Sequence, residues 1–304
     1  MQLDRWRSAK ELLLATGPDW ALRTSRSQVL AAGAAGNHAI ESWCAEEPKD
    51  RDALVMWARV LTQRVIHAHR VGASAKGLVM AFNTANAACK AAAERWPADP
   101  VPGVCSLALA QTDTDETSPR SRLNWEWPRD AMLPPGPWQL LDWVHRRDPY
   151  NREAYHRMLG VFHARGRGGL DFAQWVASFA PDGSPLKALP LYAYVESYRR
   201  QLEQGPSVGA IAYWTTEVTA HYAQRTLYDW FRESKPSERS LLDLNYLAYV
   251  LTVTGVGNAG EVFEAIGPYV TNAPWALVTP NLEWWQDDFR TARRKALSDG
   301  SRRR

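Results

Sequence analysis

Alternating Val/Ile/Thr runs are scarce in this sequence of 304 residues, and apolar residues recur three and four positions apart instead. That is the spacing of a helix face rather than of a pleated strand, so a β architecture is excluded. Cysteine is nearly lacking: Cys44, Cys89 and Cys105 are odd in number and include no Cys-x-x-Cys pair, which excludes a disulfide framework and a zinc knuckle and leaves buried free thiols as the expectation. No apolar run approaches the ~20 residues that cross a bilayer. The opening stretch "MQLDRWRSAKELLLATGPDW" holds nothing longer than "LLLA", too short for a secretory leader; a cytoplasmic location and no membrane partner are expected. Neither charge sign dominates, since the net charge is +3, and without clustered cations to displace many counterions a nucleic-acid partner is not expected. Lysine is scarce, 7 against 29 arginines, a bias that fits a high-GC bacterial coding sequence and says nothing about chemistry. A glycine-rich phosphate loop is missing, because "GRGGL" has neither Lys-Ser/Thr after it nor a strand before it. Signatures of nucleophilic catalysis are missing too, so no catalytic residue is nominated and no cofactor is expected.

What is present is helix. Hydrophobic residues make up 45% and charged residues 23% of the chain, the balance of a globular protein able to bury a core. "DALVMWARVLTQRVIHAHR" sets Leu54, Trp57, Leu61 and Val65 along one stripe, and "SLLDLNYLAYVLTVTG" ends on Gly255, where a C-cap is expected. Breaks fall at Gly17-Pro18, Pro48, 97–102, 112–137, 181–190, Gly205-Pro206, Pro236 and 274–280. An internal echo stands out: "PKDRDAL" from Pro48 and "PYNREAY" from Pro149 share Pro-x-(Asp/Asn)-Arg-(Asp/Glu)-Ala. Both prolines are predicted to begin a helix, with the following acid favoured by the positive end of the dipole. A looser copy, "WPADPVPGVCSLALA", lies midway, and Trp43, Trp96 and Trp143 each stand shortly before a copy's proline. A period near fifty residues is that of helical repeats stacking into a solenoid.

From Asp148 the chain resembles a tetratricopeptide repeat (TPR), through Asp148-Pro149, Ala154, Tyr155, Met158, Phe162 and Gly166, with "LDFAQWVASFAP" as the second helix. More loosely, "GPDWALRTSR", "DPYNREAYHRML" and "EVFEAIGPYVTNAPW" are similar to actinobacterial TPR-like proteins. The expectation is an all-α, right-handed superhelix of TPR-like helical hairpins. It is read as a single domain over 1–304, any subdivision giving N-terminal hairpins at 1–111 and a TPR-like part at 138–304, joined by a loop at 112–137. The resemblance implies a concave surface for a protein or peptide partner and transfers no catalytic residue. The expected role is that of a scaffold or regulatory interaction protein. The alternative is an enzyme or small-molecule binder of specialised metabolism with an aromatic pocket between helices.

Candidate residues are weighed on that background. Glu153-x-x-His156 has the spacing that di-iron proteins use on a bundle helix, but one copy without further carboxylates is a weak pair, and no metal is expected. His67 and His69 diverge on a helix, and the acids of "TDTDETS" and "WWQDDFR" lack the spacing that chelates magnesium. Fifteen tryptophans are many, and most fall on helix stripes. The exceptions lie among prolines and charges: Trp125, Trp127 and Arg129 in one loop, Trp284 and Trp285 in another. Rigid aromatics in such settings are enriched in recognition surfaces, so these five are the candidate partner or ligand residues. The tail "RTARRKALSDGSRRR", with seven basic residues, reads as a solvated, disordered end.

Overall fold

The computed structural model describes residues 5–113, 125–128, 130–205, 210–279 and 281–301. Among these residues it is all-helical, with 16 α-helices and no strand. None of the described helices is long and apolar enough to cross a membrane. The chain divides into two compact units, Met1–Gly168 and Gly169–Arg304.

In the first unit the helices are α1 (Arg5–Thr16), α2 (Trp20–Ala34), α3 (Ala39–Glu46), α4 (Arg51–Arg70), α5 (Ala75–Arg95), α6 (Val101–Ala110), α7 (Trp138–His145) and α8 (Arg152–Ala164). α4 is central and packs on α2 and α3 as well as on α5 and α6. This two-sided burial is why its covered face is wider than the Leu54, Trp57, Leu61, Val65 stripe. Val55, Met56, Arg59, Val60 and Thr62 are buried with Val65, whereas Leu54, Trp57 and Leu61 are half-buried.

The echoed motif begins its helices three residues later than its prolines imply. Asp50 Oδ1 accepts from the N–H groups of Asp52 (2.8 Å) and Ala53 (3.1 Å), and α4 starts at Arg51. Asn151 Oδ1 accepts from Ala154 N–H (2.9 Å), and α8 starts at Arg152. In the looser copy Asp99 Oδ1 takes Val101 N–H (2.8 Å) at the head of α6. The repeated unit is therefore Pro-x-Asx. Pro48 and Pro149 sit in the turn, and the Asx side chain satisfies orphan N–H groups that would otherwise face no acceptor.

The second unit holds α9 (Gly169–Phe179), α10 (Leu189–Gln204), α11 (Ala210–Trp214), α12 (Glu217–Arg225), α13 (Leu241–Thr254), α14 (Ala259–Ile266), α15 (Trp275–Val278) and α16 (Trp285–Ser301). A π-helical turn at Thr226–Phe231 continues α12. Its core gathers Trp214, Trp230, Leu247, Phe263 and Trp275. Gly255 closes α13 in the left-handed region (φ 69°), its N–H reaching Leu251 O. Where it is described, the basic tail departs from the expectation of disorder: helix continues to Ser301, and the final arginines 302–304 lie outside the described residues. Arg, Ala, Lys and Leu are good helix formers, and Phe289, Ala292, Ala296 and Leu297 pack on the core.

Candidate interaction site

The candidate loop of the first unit is pinned at several points between Trp125 and Trp138. Glu126 and Gly136 exchange both backbone hydrogen bonds at 3.0 Å, an isolated antiparallel bridge. Gly136 lies so near α8 that a Cβ there would meet Met158 Cε at 3.0 Å and Phe162 Cζ at 3.1 Å. Asp130 caps the turn through its carboxylate to Met132 N–H (2.9 Å) and its carbonyl to Leu133 N–H (3.2 Å), and Leu133 is buried. Trp138 Nε1 donates to Pro134 O at 3.0 Å. Pro134 lies against Gly168, whose positive φ of 74° and missing side chain both matter, since a Cβ would fall 2.2 Å from Pro134 Cγ.

Within this frame the two candidate indoles part. Trp125 is half-buried under Arg165, whose guanidinium stands 3.3 Å from the ring centroid, with Arg167 at 5.8 Å. Trp127, two residues on, is 77% exposed, and Met132 across the turn is 83% exposed. Arg129 lies outside the described residues. In extended backbone residues two apart share a side, so the difference in exposure comes from the Arg165 guanidinium, which covers the Trp125 ring and leaves Trp127 open. Trp125→Ala is accordingly expected to lower the melting temperature by several degrees and Trp127→Ala to leave it within about a degree, read by circular dichroism. Equal losses would make Trp127 a packing residue.

In the second unit Trp284 is 62% exposed, while Trp285 is half-buried on the core. This pair separates as the first does, one ring anchoring and one outward.

Glu153 and His156 occupy a different setting from a metal site. Glu153 is 6% exposed, and its two oxygens accept from Arg59 Nη1 (2.8 Å) and Nη2 (2.6 Å), a bidentate pair with a guanidinium that is itself 2% exposed. Arg157 adds contacts at 3.1 and 3.0 Å. Burial alone would raise the Glu153 pKa, but the Arg59 and Arg157 charges outweigh it and hold it down to about 2. The carboxylate's lone pairs are thus committed to two cations. His156 is half-buried one turn further on. Among the described residues no group of three or more His, Cys, Asp or Glu is placed to hold a metal ion.

Arg59 extends the network through Nε to Ser27 Oγ (3.2 Å) and Nη2 to Thr24 O (3.2 Å). Asn151 Nδ2 joins Thr24 Oγ1 at 3.1 Å. Beside it Arg23, equally buried, bonds Asp99 Oδ2 at 2.7 Å and Asp52, and lies 4.4 Å from the Trp96 ring centroid. Burial raises the Asp52 carboxyl above its ordinary range despite Arg23. These charges tie α2, α4, α6 and α8 together; they are consumed by one another and offer no free acid or base. Their signal in the sequence was Arg59 itself, a cation at the i+3 position from Met56 inside an apolar face. No protein-family model matches the chain, and comparison with curated proteins and with solved structures finds no significant similarity.

Proposed function

We propose that the protein is an interaction module, a scaffold or regulatory component, whose first unit engages a protein partner through the loop carrying Trp127. The carrying observation is that a bridged, capped and stacked loop presents Trp127 and Met132 almost fully to solvent. A mobile loop would lose conformational entropy on binding; a pinned one has lost it already, so indole burial goes to affinity. Exposed rigid aromatics are what alanine scans find at the centre of interfaces, at 2 kcal/mol or more each, and about 2 kcal/mol is roughly thirty-fold in Kd.

The scaffold in this reading is a right-handed superhelix of TPR-like hairpins. Supporting it, Asp50, Asp99 and Asn151 recur at about fifty residues and each binds an N–H at the head of the next helix. The TPR-type positions Ala154, Tyr155, Met158 and Phe162 are buried, and Gly166 takes φ 76° in the turn.

The test is quantitative affinity capture from extracts of the producing organism with wild type, Trp127→Ala and Trp284→Ala, all verified as folded. Proteins recovered by wild type and Trp284→Ala but reduced at least tenfold with Trp127→Ala support the reading. A partner lost only with Trp284→Ala, or unaffected by either change, overturns it.

A further inference from the structure

A cleft of 350 Å³ opens in the first unit between α5, α6 and α7. Its volume is at the small end of the roughly 300–1,000 Å³ common for ligand cavities. Asn83, Asn86 and Lys90 line one wall, at i, i+3 and i+7 of α5, so they share a helix face over roughly 10 Å. Among the described residues none of the three has a hydrogen-bonding or ionic partner, and Lys90 is the lining's one charged group. That asymmetry distinguishes the cleft from the Arg23 and Arg59 clusters, where every cation has a carboxylate.

The opposite wall is aromatic and fixed. Trp143 lies so close to α6 that a Cβ on Gly103 would fall 2.5 Å from its ring Cε3. Arg147 also stacks on the indole, its guanidinium standing 3.5 Å from the ring centroid and donating to Trp143 O at 2.7 Å. Contacts with Gly103 and with the Arg147 guanidinium fix the indole as a wall before any ligand arrives. Phe82 and Leu140 extend the apolar surface.

We propose that this cleft binds a small amphipathic monocarboxylic acid, with its carboxylate at Lys90 and the Asn83 and Asn86 amides and its aliphatic tail on Phe82, Leu140 and Trp143. One ammonium balances one negative charge, and the two amides supply donors that a carboxylate can accept. A dianionic phosphate would remain half-neutralised, and a cation would meet Lys90 with like charge. The rim position of Lys90 leaves the head group near water while the tail is covered, as an amphipathic acid requires.

Calorimetric titration of the full chain with sodium octanoate tests this, with 1-octanol and octyl phosphate as probes of the head group. Saturable one-to-one binding of octanoate is expected, at least tenfold tighter than octanol and than octyl phosphate. Lys90→Glu, at an exposed position, should weaken octanoate at least tenfold with an unchanged melting temperature. Ala93→Trp, which fills the cleft, should abolish the binding. Trp127→Ala should leave octanoate affinity as in wild type, so this site stands or falls apart from the partner loop. Absence of saturable binding, indifference to both cleft variants, or tighter binding of octanol or octyl phosphate overturns the proposal.

Discussion

Arg59→Met should destabilise the first unit by about 3–5 kcal/mol, the cost of leaving a buried carboxylate without its cation. Glu153 loses both strands of its bidentate pair, and Arg157, partly exposed at the edge, compensates only in part. Thr24 O and Ser27 Oγ lose a donor as well. The unit's denaturant transition should shift accordingly, and its melting point should fall by roughly 10 °C. Glu153→Met should cost a similar amount by stranding Arg59. The double variant Arg59→Met/Glu153→Met should recover most of the loss, because apolar side chains of similar size need no partner. Additive single losses would mean that the pair is not coupled.

The same pair fixes an acid dependence. Glu153 is depressed from its ordinary 4.5 to about 2 in the folded chain. Its contribution is therefore fully present above the unfolded pKa and is lost as the pH falls through the folded one. About 3 kcal/mol should disappear between roughly pH 5 and pH 2, read as urea midpoints at pH 5, 3 and 2. The double variant should show a flatter acid limb than wild type.

Trp275→Ala is the corresponding expectation for the second unit, at about 3–5 kcal/mol. The indole is buried among Tyr249 (5.2 Å between centroids), Phe289 (5.3 Å) and Phe263 (6.3 Å). Its Nε1 donates to Asn245 Oδ1 at 3.1 Å, and Asn245 in turn donates to Leu241 O at 2.9 Å. Truncation leaves both a large cavity and an orphaned buried carbonyl oxygen, two costs that add. Trp275→Phe keeps much of the ring volume and loses chiefly the hydrogen bond, so about 1–2 kcal/mol is expected. Because the chain has two units, the transition assigned to residues 169–304 is the one to follow, by hydrogen exchange at amides of α13 and α14.

Helix class and the cap at Gly255 were legible because each rests on local chemistry. The prolines of the echo misled about helix starts because the Asx side chain two residues on is the stronger signal. The stripe on α4 was drawn too narrowly, since a helix buried on two sides loses the clean amphipathic period on which such reading depends. Glu153 looked like a first-turn acid facing the dipole; its true partner, Arg59, is 94 residues away, a separation no local pattern encodes. Trp125 and Trp127 were found together as candidates, but which ring faces outward depends on Arg165 and on the Glu126–Gly136 bridge. The cleft needs Gly103 and Trp143 brought together from separate helices, and neither residue marks it alone.

The central claim is that Trp127 waits in solvent for a protein. Its most direct test is fluorine NMR of the chain labelled with 5-fluorotryptophan, the Trp127 resonance being assigned by Trp127→Phe. In the free protein that resonance should lie near that of free fluorotryptophan and show a large solvent isotope shift. On adding the partner recovered by capture it should move or broaden while the buried Trp43 resonance stays in place. A Trp127 resonance already shielded in the free chain, or one that ignores the bound partner while others respond, would contradict the account.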